Sequence, residues 1–436
     1  MKRSFLLTTT IVLICFTCLS AWAGGEKEAV AAKPKTVTIW HHWPSTGPQG
    51  QAFEKMVPEY NASQSGYNAD ALYMAGAAAA GGMIQKIMTA VAAGDPPDVA
   101  TTNAFHVPRL TGADAIYSLE DLLPKDEFET LKKDTNIMGT FFDIGGKRRA
   151  WLVNQKGAAL CYNKTLFKEA GLDPAKGPDT WDQIVEFGKK LTKDTSGDGI
   201  PDQFGWMMHS EIKQYTLIHW NYPLLAYGGQ LMNDARTDVT FQEQPGVDAL
   251  QLWVDMVHKY KISTLSPPGG QDGSEAFLTG KMAMDIIEID ILARRNQMDF
   301  EFGVSELPKK VRRGFYTAGQ SMVIFKDAKN PEGALDFLRW FTSPEPSAKF
   351  AMLCAHFPAR KSGIDLPFYQ KYMKDDPDII PFSKSLEYSF PKPNVIPFLG
   401  MQLEIAKQIE RALYQRASPK EALDEAAKVC REKLKG

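Results

Sequence analysis

Thr89-Ala90-Val91-Ala92-Ala93-Gly94-Asp95-Pro96-Pro97-Asp98-Val99 ends one element and starts another. Ahead of it Ile84, Ile87 and Val91 recur at helical spacing; Gly94-Asp95-Pro96-Pro97 cannot continue a helix, and Val99 opens a strand. Upstream, Thr36-Val37-Thr38-Ile39-Trp40 is a β-branched run that reads as a strand, followed by the turn-prone Pro44-Ser45-Thr46-Gly47. Phe53, Met56, Val57 and Tyr60 then fall on one helical face, with Asn61 as a polar stop. Strand, helix, strand, helix, strand is therefore the opening order. Downstream, Thr180 and Gln183 form a capping-box pattern ahead of Trp181, Ile184, Gly188 and Leu191. Asn330-Pro331 opens a helix whose stripe is Ala334, Phe337, Leu338 and Phe341, and Ser418-Pro419-Lys420-Glu421 starts the last one. Such alternation predicts an α/β chain with largely parallel sheets.

The chain has 436 residues, and at about 100–200 residues per domain two lobes are expected rather than one. Lys2 and Arg3, an apolar run from Phe5 to Leu19 and Ala21-Trp22-Ala23 read as an export signal (residues 1–23) cut after Ala23, followed by a tether over 24–35. The rival reading makes Cys15 or Cys18 a lipid-modified first residue, but neither lies in a good lipoprotein ending. No later segment reaches the ~18 consecutive apolar residues a membrane span needs. An exported, periplasmic body follows. Cys161, Cys354 and Cys430 remain after the signal, so at most one disulfide can close. The formal charge of −2 becomes −4 when Lys2 and Arg3 leave, with no block of like charge. That argues against a nucleic acid or an anionic membrane as partner.

Read together, these stretches resemble the extracellular solute-binding proteins of family 1, which include the maltose- and other sugar-binding proteins of ABC importers. The resemblance is carried by Val37-Thr38-Ile39-Trp40, by the opening stretch from Thr89 to Val99, and by Leu160-Cys161-Tyr162-Asn163-Lys164-Thr165-Leu166-Phe167-Lys168-Glu169-Ala170-Gly171-Leu172. Thr180-Trp181, Phe277-Leu278-Thr279-Gly280-Lys281-Met282-Ala283-Met284 and Lys329-Asn330-Pro331-Glu332-Gly333-Ala334 extend it over nearly the whole mature chain. It implies a two-lobed periplasmic binding protein of type II, an α/β fold with the ligand cleft between lobes joined by hinge crossings. It also implies a carbohydrate ligand, ABC permease membrane subunits as partners, a monomer, no required cofactor and no catalysis. By position the first lobe takes 36–153 and 303–343, and the second 154–302 and 344–436, with crossings near Asn154–Gly157, Phe302–Leu307 and Ser343.

Sugars present hydroxyls and flat apolar faces, so their sites combine aromatic rings with carboxylates, amides and imidazoles. His42, Trp43 and Ser45, in the loop after the first strand, match positions where the family's sugar binders use polar side chains; the alternative is an exposed aromatic turn. Asn103, near Phe105 and His106, either contacts ligand or caps the next helix. Lys156 stands where maltose binders keep a carboxylate, a charge reversal that leaves it for a sugar hydroxyl, an acidic sugar or solvent. His209 and Glu211 match polar and aromatic contacts of the relatives, although a buried structural histidine is the competing reading. Glu288 and Asp290 occupy alternate positions where the family commonly has a Gly-x-Trp platform, and that tryptophan is missing. Gln320 follows Thr317-Ala318-Gly319 as a further candidate. Asp194, Ser196, Asp198 and Asp202 resemble the start of a calcium loop around Gly199, with Gly205 where a twelfth-position carboxylate is expected. They form either a structural calcium site closed by Asp202 or a plain Asp/Gly-rich turn.

No Gly-x-Ser-x-Gly elbow, phosphate-cradling Gly-x4-Gly-Lys-Ser/Thr or His-Glu-x-x-His pair is present. The enzyme alternative is a glycoside-acting pair such as Glu288 and Asp290. A metal receptor built on His41 and His42 is a second rival, and a receptor of the same fold for a non-sugar solute, such as a glycerol-phosphate compound, a third.

Overall fold

The computed structural model describes residues 33–75, 82–103, 106–135, 137–210, 214–267 and 275–435. The export signal, most of the tether, Phe105 and Glu211 lie outside them. Strand β1 (Lys35–His41) turns Val37, Ile39 and His41 inward on alternate positions. Helix α1 (Pro48–Ser63) buries Phe53, Met56, Val57 and Tyr60, and β2 (Tyr67–Tyr73) returns beside β1. Helix α2 (Gly82–Ala92) buries Met83, Ile84 and Ile87. The chain then turns through Gly94, at φ +69°, into β3 (Val99–Asn103) on the other side of β1.

Asp98, the last residue before β3, explains why that turn decides the fold. Its carboxylate is 1% exposed and accepts from the Thr38 backbone N–H (2.7 Å), the Thr38 hydroxyl (2.8 Å) and the Asn330 N–H (2.7 Å). One side chain thus ties β1 and β3 to the start of a helix more than two hundred residues later.

β4 (Trp151–Lys156) continues this sheet, whereas β5 (Ala158–Asn163) belongs to another, so Gly157 is the whole connection. A Cβ there would lie 2.1 Å from the Phe382 carbonyl oxygen, which leaves room only for glycine. The second lobe is built on α3 (Trp181–Leu191), α4 (Gln214–Ala226), β6 (Met284–Glu288) and β7 (Phe302–Ser305), with β5 central in the order β6-β5-β7. Then β8 (Ala318–Ile324), α5 (Pro331–Phe341), α6 (Pro344–Leu353) and β9 (Phe357–Pro358) rejoin the first lobe. Helices α7 (Phe398–Leu413) and α8 (Pro419–Lys435) close the second. The six-stranded sheet runs β9-β4-β8-β3-β1-β2.

Among the described residues the parallel pairing predicted from the sequence is found for β1, β2 and β3 and for the short pair Phe315–Tyr316 with Ser389–Phe390. β8 is antiparallel to both β3 and β4, and β5 to both β6 and β7. Strands that arrive from the opposite lobe enter against the local direction, which an alternation of elements does not reveal. Ser343, where the sequence predicts a third crossing, instead N-caps α6. Phe350 and Cys354 still pack with Val37, Ile39 and Phe53, and β9 pairs with β4. The other face of α6, through Ala348 and Ala351, already meets Ala159 and Cys161 of β5. Ala359 still packs in the first lobe and Ser362 bonds there to Asp134, while Ile364 and Leu366 join the second core.

Each lobe has its own cores. In the first, one side of the sheet packs α1, α5 and α6, and the other packs Met83, Ile84, Ile87, Val107, Leu110 and Phe142. In the second, Trp181, Trp206, Trp220 and Trp253 centre the larger cluster. Cys161, Cys354 and Cys430 are all buried free thiols, so burial of apolar surface, not cross-linking, holds the molecule together.

Candidate ligand cleft and hinge

The carboxyl ends of β1 and β3 bring His41, His42 and Asn103 to one edge of the first sheet. The His42 N–H donates to the Thr101 hydroxyl (3.1 Å) and its Nδ1 lies 2.7 Å from the same oxygen. Burial lowers the pKa of His42 to about 4, with the nearby Gln320 amide opposing the shift, and burial does the same to His41. His106 is lowered by burial and by Arg109. All three imidazoles are therefore uncharged at neutral pH and offer one donor and one acceptor each. Gln320 pairs across from Asn103 in the β8–β3 ladder, and among the described residues its Oε1 has no hydrogen bond of good geometry. His42, Asn103 and His106 line a small cavity with Thr101 and Thr102.

Trp43 is not in this wall. Its side chain is 2% exposed and packs between Phe53 (ring centroids 5.1 Å) and Phe350 (5.4 Å), so it presents no face to a ligand. Trp43, expected either beside polar ligand contacts or in an exposed aromatic turn, is instead a plug in the first core, because α1 and α6 both bring phenylalanines against it. Ser45 is exposed in the turn closed by the Gly47 N–H to Pro44 carbonyl bond (2.9 Å).

Lys156, Glu288 and Asp290 come together at the hinge and bond to one another. The Lys156 ammonium donates to Glu288 (3.2 Å) and to Asp290. Burial disfavours the Lys156 charge, but Asp290 and Glu288 outweigh it and hold its pKa above the usual range. Asp290 is also 2.7 Å from His356 Nε2, and His356 Nδ1 is 2.9 Å from the Asn154 amide nitrogen. Burial would raise the Asp290 pKa, yet Lys156 and His356 hold it well below the ordinary carboxylate value. Asn154 and Lys156 belong to the first sheet and His356 directly precedes its strand β9, while Glu288 ends β6 of the second sheet and Asp290 follows it. The network therefore bridges the lobes at the point where they pivot. Asp290 lies in a 3-10 turn rather than on the strand, yet both carboxylates face the same ammonium. Lys392 is buried close by, and burial lowers its pKa with Glu288 opposing.

In the second lobe His209 is 3% exposed, with Nε2 3.4 Å from each oxygen of Asp285, a carboxylate 1% exposed near the start of β6. His219, half-buried on α4, stacks on His209 with centroids 3.3 Å apart. Asp285, His219 and His356 were not singled out from the sequence. A lone carboxylate inside the apolar run Met284-Asp285-Ile286-Ile287 was the available signal for the first. Nothing in the sequence foretells that His219 stacks on His209 ten residues before it, or that His356 meets Asp290 and Asn154, which are far away along the chain.

The Asp194 to Asp202 loop is exposed and bonded to itself. Asp194 accepts from the Gly197 (2.6 Å) and Gly199 (2.7 Å) N–H groups, Asp198 from Ile200 (2.9 Å), and Asp202 from the Thr195 hydroxyl (2.6 Å). Those backbone bonds hold the Asp194 pKa below its usual value. Ser196 donates to Asp194 (3.1 Å).

Among the described residues no helix is long and apolar enough to cross a membrane. The fold is shared with solved structures. The cyclic α-maltosyl-1,6-maltose binding protein of Arthrobacter globiformis superposes with a TM-score of 0.81 at 25% identity, over 92% of this chain and 99% of that one. UgpB from Mycobacterium tuberculosis in complex with glycerophosphocholine gives 0.76 at 19% identity, over 92% and 98%. In sequence, the sn-glycerol-3-phosphate-binding periplasmic protein UgpB of Escherichia coli (strain K12) is 23% identical over 430 residues, 92% of each chain. Residues 55–378 match the bacterial extracellular solute-binding protein family, and with most of its length so matched the chain belongs to that family.

Proposed function

We propose that this protein captures a carbohydrate between its lobes and hands it, unaltered, to the membrane subunits of an ABC importer, acting as an exported periplasmic monomer. The observation that carries the reading is the charge balance of the cleft. Its first wall offers uncharged imidazoles and amides, His42, His106, Asn103 and Gln320, and the lysine nearest the hinge is held by two carboxylates. A neutral polyhydroxylated solute can use such donors and acceptors in pairs, whereas a phosphate asks for cations that are not already engaged.

The competing solute is a glycerol-phosphate compound, favoured by the names of the relatives in sequence. Isothermal titration of the mature protein with oligosaccharides, glycerol 3-phosphate and glycerophosphocholine separates the two. The expected outcome is saturable binding of an oligosaccharide, little changed between 50 and 500 mM salt (roughly, from a Debye length of over 10 Å to under 5 Å). Binding of the phosphate compounds alone would reverse the assignment.

A further inference from the structure

His209, His219 and Asp285 form a buried cluster in the second lobe. One ligand atom from each residue lies within 4.8 Å of the other two. Asp285 is a carboxylate 1% exposed, and burial raises its pKa, with His209 opposing. A buried carboxylate demands a positive partner or strong donors. Yet His209 Nε2 stands 3.4 Å from both Asp285 oxygens, beyond the ~2.7–3.2 Å of a good hydrogen bond. That separation fits another arrangement. Two ligands on one tetrahedral zinc ion, with bonds of about 2.0–2.1 Å, stand roughly 3.4 Å apart.

We infer that His209, His219 and Asp285 form a binding site for a divalent transition-metal ion of the zinc class in the second lobe. Two imidazoles and one carboxylate are a donor set that zinc accepts with a fourth position left to solvent. The site is rooted in two elements: Asp285 on β6 and His219 on α4, with His209 in the segment leading toward that helix. The His209 and His219 rings are nearly parallel, 15° apart, so a shared ion requires the His219 ring to turn until its lone pair meets that of His209. His219 is the least buried member of the three, so it is the ring that would have to turn. The competing explanation, a proton shared between the stacked imidazoles and Asp285, uses the same residues without metal.

The site is independent of which solute the cleft takes, and its test uses no solute. The mature chain is treated with a chelator, exchanged into metal-free buffer at pH 7.5 and titrated with zinc ions. Cobalt(II) serves as a second probe for its absorption spectrum. One zinc ion per chain, a raised melting temperature and visible absorption of tetrahedral cobalt are expected. Asp285→Asn and His219→Gln should each weaken zinc binding at least about tenfold, since removal of even an outer-shell partner costs that much. His258→Asn, which removes an imidazole elsewhere, should bind as the unaltered chain does. Because the unaltered chain is read directly, a variant that fails to fold does not decide the matter. Absence of zinc binding by the folded chain, or full retention in both Asp285→Asn and His219→Gln, overturns the site; the first outcome assigns the cluster to a shared proton.

Discussion

His42 shows how a single residue couples stability to pH. In an unfolded chain its imidazole takes a proton near its ordinary value of 6.5, but in the folded protein burial delays that to about 4. Above 6.5 neither state is charged and nothing is lost. As the pH falls from 6.5 toward 4 the unfolded chain binds a proton that the folded one refuses, so stability drops throughout that window. At pH 5 the loss from this residue is about 2 kcal/mol at most. Urea unfolding at pH 7.5 and 5.0 is the measurement: His42→Asn, which keeps a polar partner for Thr101, should lose less stability between the two than the unaltered protein. An equal loss in both would place the folded imidazole in ordinary contact with water. Trp43, the neighbouring residue, marks the limit of reading such a loop from sequence. Composition correctly placed aromatic and polar groups after β1, but whether an indole faces a ligand or a core depends on what α6 brings against it from about three hundred residues later.

At the scale of elements, local rules are the legible part. Thr180 accepts from the Gln183 N–H (3.1 Å) and Asn330 from the Gly333 N–H (3.1 Å), while Ser418 and Glu421 cap reciprocally. Each is written within a few residues. The crossing near Asn154–Gly157 is expected from the resemblance and not from any local rule, and the ion network beside it is not expected at all, because Glu288 and Asp290 reach Lys156 from the end of β6 and the 3-10 turn after it, more than a hundred residues on. The residues singled out as ligand contacts are there engaged with one another, which makes Lys156 first of all a link between lobes. Lys156→Met should leave two carboxylates facing each other. Since Glu288 and Asp290 are 32% and 45% exposed, the cost is about 1–2 kcal/mol rather than that of a fully buried pair. A double substitution with Asp290→Asn should recover part of it in denaturant melts. If Lys156→Met instead abolishes solute binding with stability unchanged, the ammonium belongs to the ligand and not to the hinge.

Over the whole molecule, capture requires the lobes to approach, and a second bridge besides the hinge bears on that motion. Asn394, in the segment leading to α7, donates to the Phe141 (2.8 Å) and Asp143 (2.7 Å) carbonyls of the first lobe. Its own oxygen accepts from Arg236 (2.5 Å), at φ +57° in a turn of the second lobe. Burial lowers the Arg236 pKa, with Asp143 opposing. These bonds join a turn of one lobe to backbone of the other, so they favour the lobe arrangement described here over any in which the two separate. When only one arrangement grips the solute, the apparent dissociation constant is the intrinsic one divided by the population of that arrangement. Asn394→Ala removes two donors and one acceptor, and a shift of about 1.4 kcal/mol against the joined state would weaken apparent affinity by up to about tenfold. The effect should appear in the population and not in the grip. Small-angle scattering of the free Asn394→Ala protein should give a larger radius of gyration than the unaltered chain, while at saturating solute the two radii coincide. Weakened affinity with identical scattering in the free state would mean that Asn394 acts within the cleft and does not hold the lobes together.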